Sequence, residues 1–154
     1  LRHADRAAGV VAAHSDVRSP KVAQLRAAPG TAWVFWDRGA SVQVRITGPA
    51  SVEAADESAL AAEIWRRTGH ATRKPYLAPR PPSIPADGPS ANEPADLHGT
   101  IPEPKRSEDG RANYVLLRVA VERLEWLRLG RAGHRRAAFR RQADGGWDAT
   151  WLEP

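Results

Sequence analysis

Between residues 15 and 25 the chain reads SDVRSPKVAQL, which sets two hydroxyls, Ser15 and Ser19, and two cations, Arg18 and Lys21, around the start of a short helix. Backbone N–H groups left free in a first helical turn, the positive end of the helix dipole, a serine hydroxyl and an ammonium together suit a phosphate dianion. An ordinary capped helix with solvated charges carries the same residues, so the segment alone leaves both readings open. A second candidate is Gln43, on the polar side of an otherwise apolar strand. Its amide both donates and accepts, and can meet the edge of a heterocycle or only solvent. The third group is Trp126 with His134 and Arg136, which flank one turn between strands. An indole can pack on a flat ring and a guanidinium can hold an anionic oxygen. The alternative is that Trp126 is core and that Arg135, Arg136, Arg140 and Arg141 form a solvated basic edge.

Other chemistries find no support. Histidines stand at positions 3, 14, 70, 98 and 134, and no pair has the spacing of a zinc-binding helix motif, so no metal site is expected. The absence of cysteine removes disulfides, thiolate chemistry and Cys-based zinc sites. No GxSxG, GxxxxGK[ST] or GxGxxG pattern occurs, which leaves hydrolase elbows, P-loops and Rossmann turns without a basis. The formal charge of +5, carried mostly by arginine, favours an anionic partner. Those arginines are spread over several elements, so a basic β-barrel binding nucleic acid is the weaker reading and no nucleic-acid partner is expected. No apolar run approaches the roughly 20 residues of a membrane span, and no signal-peptide pattern opens the chain. A soluble cytoplasmic protein without a membrane partner is the expectation.

The elements that must position these residues are mostly strands. Gly9 to Ser15 is a β-capable run; Ser19 then stands at an N-cap, Pro20 at the first helical position, and Lys21 to Ala28 continue a helix that Pro29-Gly30 stops. Thr31 to Trp36 and Ser41 to Thr47 form a hairpin around Asp37-Arg38-Gly39, the second strand placing Val42, Val44 and Ile46 on one face and Gln43, Arg45 and Thr47 on the other. Ala54 to Arg67 carries Leu60, Ile64 and Trp65 at helical spacing and ends near Gly69. Nine of the thirteen prolines crowd between Pro75 and Pro104, so residues 70–111 read as one long Pro-rich loop. Asn113 to Leu129 returns to strand chemistry with a change of phase near Glu122-Arg123, which predicts a bulge that curves the sheet. His134 to Arg141 and Trp147 to Leu152 are two more strands around Asp144-Gly145-Gly146. A mainly β (α+β) fold follows, a small barrel with short flanking helices, built as a single domain over residues 1–154. The chain opens on Leu1 and holds no methionine, which implies that it begins inside a longer natural protein, with Leu1-Arg2-His3 the end of an element.

Taken in order, HSDVRSPKVAQLRAAPG (14–30), WVFWDRGASVQVRITGPA (33–50) and RLEWLRLGRAGHRRAAFRR with GWDATWLEP (123–141 and 146–154) resemble the FMN-binding split barrel of the pyridoxamine 5′-phosphate oxidase family, in its divergent branch. The resemblance covers both ends of the chain and hardly touches the proline-rich middle. It implies a split β-barrel that forms a homodimer with FMN at the interface, two further strands before Leu1, and an oxidoreductase whose substrate the residues do not name. By the same resemblance Arg2, His14, Ser15, Ser19 and Lys21 contact the cofactor, most of them at its phosphate. Gln43 reaches the flavin ring, Trp126 and Arg136 of the neighbouring subunit close the site, and His134 lies nearest the substrate. Two departures stand out. Pro20 precedes Lys21 where the well-studied oxidases carry arginine, so one cation is lost unless Arg18 replaces it; and Ala132-Gly133-His134 keeps the histidine of a substrate-binding Arg-x-His pattern and lacks its arginine. The second departure keeps a flavin-binding module without turnover in view beside the oxidoreductase.

Overall fold

The alternation at residues 42–47 seeds the strand around which the rest of the chain is arranged. The computed structural model describes all of residues 1–154 and contains eight strands: β1 His3–Asp5, β2 Val10–Asp16, β3 Gly30–Asp37, β4 Val42–Ala54, β5 Tyr114–Ala120, β6 Arg123–Arg128, β7 Arg135–Arg141 and β8 Trp147–Leu152. They form one antiparallel sheet in the order β1-β2-β5-β4-β6-β7-β8, with β3 paired to β4 beside this path. The sheet curls into a half-barrel, as the mainly β reading expects.

Strand β4 is longer than its alternation indicates. It does not end at Thr47 but continues through Gly48-Pro49 to Ala54, pairing with β6 over its first half and with β5 over its second. Along this edge β5 and β6 act as a single bent strand. Thr47 faces Arg123 and Ala50 faces Val119, so two residues of β4, Gly48 and Pro49, stand opposite three, Ala120, Val121 and Glu122. That surplus residue is a β-bulge, found where the sequence changes phase. Pro49 is tolerated inside a strand because it faces the interrupted part of the ladder, where its missing N–H forfeits nothing. On the far edge of the bent strand the partner also changes: β2 pairs with β5 and β7 with β6.

Because β4 occupies residues 50–54, the helix read from Ala54 begins later. Ser58 caps it, its hydroxyl accepting from the Ala61 N–H at 3.3 Å, and the helix (α2) runs Ala59–Arg67. Asp56 and Glu57 lie in the turn before it. Helix α1, Pro20–Ala27, agrees with its capping signals. The proline-rich stretch is not irregular throughout: short helices α3 (His70–Arg73) and α4 (Pro104–Glu108) and single 3₁₀ turns stand near its two ends, with a further 3₁₀ turn at Ala95–Leu97.

Strand β5 is buried on both faces. Tyr114 and Leu116 join Ala12, Ala61, Trp65 and Tyr76 beneath α2, while Val115 and Leu117 pack with Val22 of α1 and with Trp33. Burial of these side chains, worth about 1.5–3 kcal/mol each, holds the two helices to opposite sides of one strand. Gly48 is dictated by the bulge, since a Cβ there would lie 1.9 Å from the Ala120 carbonyl oxygen, a backbone atom that cannot swing aside. Gly48→Ala should therefore cost about 2–3 kcal/mol and lower the melting temperature clearly. Gly30→Ala, where an added Cβ meets nothing within 4 Å, should leave it nearly unchanged.

Candidate functional site

Helix α1 begins with Ser19 in extended backbone, φ −68° and ψ 137°, yet the Ser19 hydroxyl caps no amide of its own helix. Ser58 at the start of α2 does cap. Ser19 is only 5% exposed, and so is Ser15, at 6%, whose hydroxyl has a single long contact of 3.5 Å with the Asp16 carbonyl. Two serines this buried normally satisfy their hydroxyls within the protein. Here both line a cavity of about 500 Å³, together with Lys21 of the first helical turn. Pro20 contributes no N–H, so hydroxyls and an ammonium dominate the donor set on this wall.

Arg18 does not join them. Its guanidinium grips Asp16 through two bonds, 2.7 and 3.0 Å, and donates to the Ala78 carbonyl at 3.0 Å. This commitment leaves Arg18 out of the cavity lining and ties the β2–α1 turn to the proline-rich segment, which supplies the opposite wall: Lys74, Tyr76, Ser83, Asn92 and Glu93. Lys74 Nζ pairs with Glu93 at 3.0 Å, and Lys74 holds the Glu93 carboxyl below its usual range. Burial pushes the Tyr76 phenol up to about 12, so it stays neutral.

The wall is held in place by a polar clasp between the two ends of the segment. The Arg73 guanidinium, buried beneath α2, donates to the Trp65 carbonyl at 2.7 Å and to Glu108 at 2.9 Å, and Glu108 also accepts from the Trp65 indole at 3.0 Å. Beside it the His70 Nδ1 and Ser107 hydroxyl share a hydrogen bond of 2.8 Å, and Ser107 is fully buried. Residues 70–73 and 104–108 are thus joined, and Lys74 follows directly on an anchored residue.

Arg2 and His14 lie elsewhere. They line a second recess, about 260 Å³, with His3, Arg67, Thr68 and Thr72. The His14 ring stands edge-on to Tyr114 and Tyr76, and neither of its nitrogens has a partner. Burial, and after it the charge of Arg2, lowers its pKa to about 4.

Gln43, Trp126, Arg136 and His134 belong to the other part of the sheet. In antiparallel pairs residues directly opposite share a face. Gln43 faces Trp36 and Leu127, and Leu127 faces Arg136, so Gln43 and Arg136 lie on one side; Trp126 faces Val44 and Ala137 and lies on the other. Arg136 is paired with Glu125 at 2.6 Å, and Arg123 reaches the same carboxylate at 2.8 Å. His134 is exposed in the β6–β7 turn, accepting from the Gly130 N–H at 3.3 Å. Within one chain the structure gathers Ser15, Ser19 and Lys21, sets Arg2 and His14 in a separate recess, and keeps the other four apart from both.

Lys74, Asn92 and Glu93 were not legible as site residues, since a proline-rich composition says nothing about where a loop lies. One signal was present. Only three of the 23 cationic residues are lysines, and two of the three, Lys21 and Lys74, line this cavity.

A curled antiparallel half-barrel flanked by short helices is the architecture of a split-barrel domain. Residues 2–54, which hold Arg2, His14, Ser15, Ser19, Lys21 and Gln43, match the family described as pyridoxamine 5′-phosphate oxidase, FMN-binding domain. The fold is shared with a pyridoxamine 5′-phosphate oxidase-related, FMN-binding protein from Nostoc punctiforme PCC 73102, at 20% identity and a TM-score of 0.72, over 94% of this chain and 73% of that one. It is shared too with PhzG from Burkholderia lata 383, solved in complex with tetrahydrophenazine-1-carboxylic acid, at 15% identity and a TM-score of 0.65, over 94% of this chain and 68% of that one. No curated protein matches the chain in sequence. No helix is long and apolar enough to cross a membrane.

His14 carries a pH dependence of known sign. With a folded pKa near 4 and an ordinary value of 6.5, the unfolded chain takes up its proton first on acidification, so stability is lost as pH falls from 6.5 towards 4. His14→Phe should flatten that part of the profile of melting temperature against pH; an unchanged slope between pH 6.5 and 4.5 would show that His14 does not titrate this way.

Proposed function

We propose that this protein is an FMN-binding flavoprotein, an oxidoreductase that works as a homodimer, with the FMN phosphate in the cavity at the start of α1. The observation that carries this reading is the pair of nearly buried serines, Ser15 and Ser19, whose hydroxyls find no good partner in the protein and open beside Lys21 onto a common cavity. A phosphate accepts from hydroxyls and ammonium alike, so the donor set fits the group. Bound FMN supplies reversible two-electron transfer at its ring, and what falls to the protein is to bind, orient and shield it.

In the dimer, Gln43 meets the ring edge, the neighbouring subunit brings Arg136 from the sheet face that Gln43 also uses and Trp126 from the other face, and His134 faces the substrate. The exposed surface beside Gln43 supports this arrangement: Trp36 and Val34 share its face and remain 53% and 59% exposed in the single chain. Apolar side chains of that size, grouped on one face, mark a surface that a partner covers. Arg136 comes to such a site already bonded to Glu125, which fixes its guanidinium plane and leaves its other N–H groups to an anionic oxygen. The recess with Arg2 and Arg67 offers two guanidiniums to an acidic group of a substrate.

The protein purified under mild conditions should be yellow. The double variant Ser19→Ala, Lys21→Ala should lose colour and bind FMN at least about tenfold more weakly, the effect of removing a charge-assisted contact; unchanged affinity would remove the phosphate site. Colourless wild-type protein that takes up no FMN and binds nucleic acid would favour the basic-barrel alternative. Turnover is separated from mere binding by anaerobic addition of pyridoxine 5′-phosphate: bleaching identifies an oxidase of that compound, while lasting colour denies it this substrate, the outcome the alanine at position 132 favours.

A further inference from the structure

We propose that Lys74 is a second phosphate-binding cation of the α1 cavity and that Glu93 is a built-in counterion, which Lys74 exchanges for the incoming phosphate. The proposal rests on the reading that a nucleotide phosphate occupies this cavity, and it concerns how the chain makes up for Pro20 and for an Arg18 committed to Asp16 and Ala78.

The two members of the pair are held very differently. Lys74 follows Arg73, whose guanidinium is bonded to the Trp65 carbonyl and Glu108, and the Lys74 side chain is only 14% exposed. Its backbone is therefore placed by the same clasp that closes the whole segment. Glu93 is 31% exposed and follows Asn92, a residue at φ +50° whose amide exchanges two bonds with the Arg80 backbone, 2.9 and 3.2 Å. The cation is anchored to the core, whereas the anion sits on a local turn at the cavity's edge. Its carboxylate also accepts from the Gly99 backbone N–H, and the largely exposed His98 ring lies 3.8 Å away.

Charge balance gives this pairing a consequence. The charged residues lining the cavity are Lys21, Lys74, Asp16 and Glu93, and Asp16 is neutralised by Arg18. While Glu93 holds Lys74, a dianion entering beside Ser19 meets one free ammonium and a nearby carboxylate. Once Lys74 turns to the phosphate, the ligand has two ammonium partners and Glu93 keeps the Gly99 N–H and solvent. A buried ammonium without a counterion is costly, so Glu93 keeps Lys74 charged and in place while no phosphate is bound. Lysine suits the exchange better than arginine, since its three donors rotate about one point and no fixed fork has to be re-formed.

The test compares FMN with riboflavin, which shares the ring and ribityl chain and lacks the phosphate, by flavin fluorescence titration of the full chain. Lys74→Met should weaken FMN binding at least about tenfold while leaving riboflavin affinity within about twofold. Glu93→Gln, which removes the competing charge and keeps the side chain's shape, should tighten FMN about three- to tenfold with riboflavin again unmoved. Equal losses for both ligands in Lys74→Met would assign Lys74 a structural role, and FMN affinity that is unchanged or weakened in Glu93→Gln would overturn the exchange even if the lysine variant failed to fold. The Ser19→Ala, Lys21→Ala variant separates the two levels. If it retains FMN, the phosphate reading itself fails; if it loses FMN while the Lys74 and Glu93 variants behave as wild type, only the present proposal fails.

Discussion

Two residues of β4 stand opposite three of the β5–β6 strand, and the sheet's curvature follows from that mismatch. The surplus residue bends one strand so that its first half can pair with β2 and its second with β7, which turn away from each other to form the two flanks of a half-barrel. The Ala120 carbonyl presses so close to the β4 backbone there that position 48 accepts only glycine. Without the bend, β2 would run straight along β6, and the start of α1 would not stand at a corner where a cavity can open.

Strand β5 transmits this geometry to the helices. Buried on both faces, it carries α2 with the aromatic cluster on one side and α1 on the other, so the cavity at the start of α1 and the recess around His14 are placed by a single element. Ser15 and His14 are neighbours on β2 and take opposite faces of the same sheet, as residues of one strand must. That is why one looks into the cavity and the other packs among tyrosines, although their sequence positions suggest a shared duty.

Polar groups in the cavity are organised by what is already committed. Arg18 is tied to Asp16 and Ala78, Arg73 to Glu108 and the Trp65 carbonyl, and Arg136 to Glu125, so several arginines that composition presents as candidates for an anion serve first to hold backbone and loop in place. The lysines are the exception. A compact ammonium can change partner without rebuilding a bidentate fork, and the cavity uses two of the three the chain possesses.

Local signals determined much of this protein. Proline after serine set the start of α1, alternation over residues 42–47 set the faces of β4, and the change of phase near Glu122 placed the bulge, because each depends only on backbone preferences of a few neighbouring residues. The gathering of hydroxyls and an ammonium at residues 15–21 was legible for the same reason, as were the residues that resemble an FMN-binding domain. Other features were decided by contacts distant in sequence. Strand β4 runs past Gly48-Pro49 because β5 and β6 are there to pair with it, and residues 50–54 consequently leave α2 to start at Ala59. Lys74 and Glu93 reach the cavity because Arg73 finds Glu108, thirty-five positions away; Arg2 and His14 fall outside it because β2 and the residues leading into β1 lie against α2. Sequence reports what each segment prefers by itself, and only the packed chain settles which preferences are satisfied together, since a buried polar group accepts whatever partner the fold brings to it.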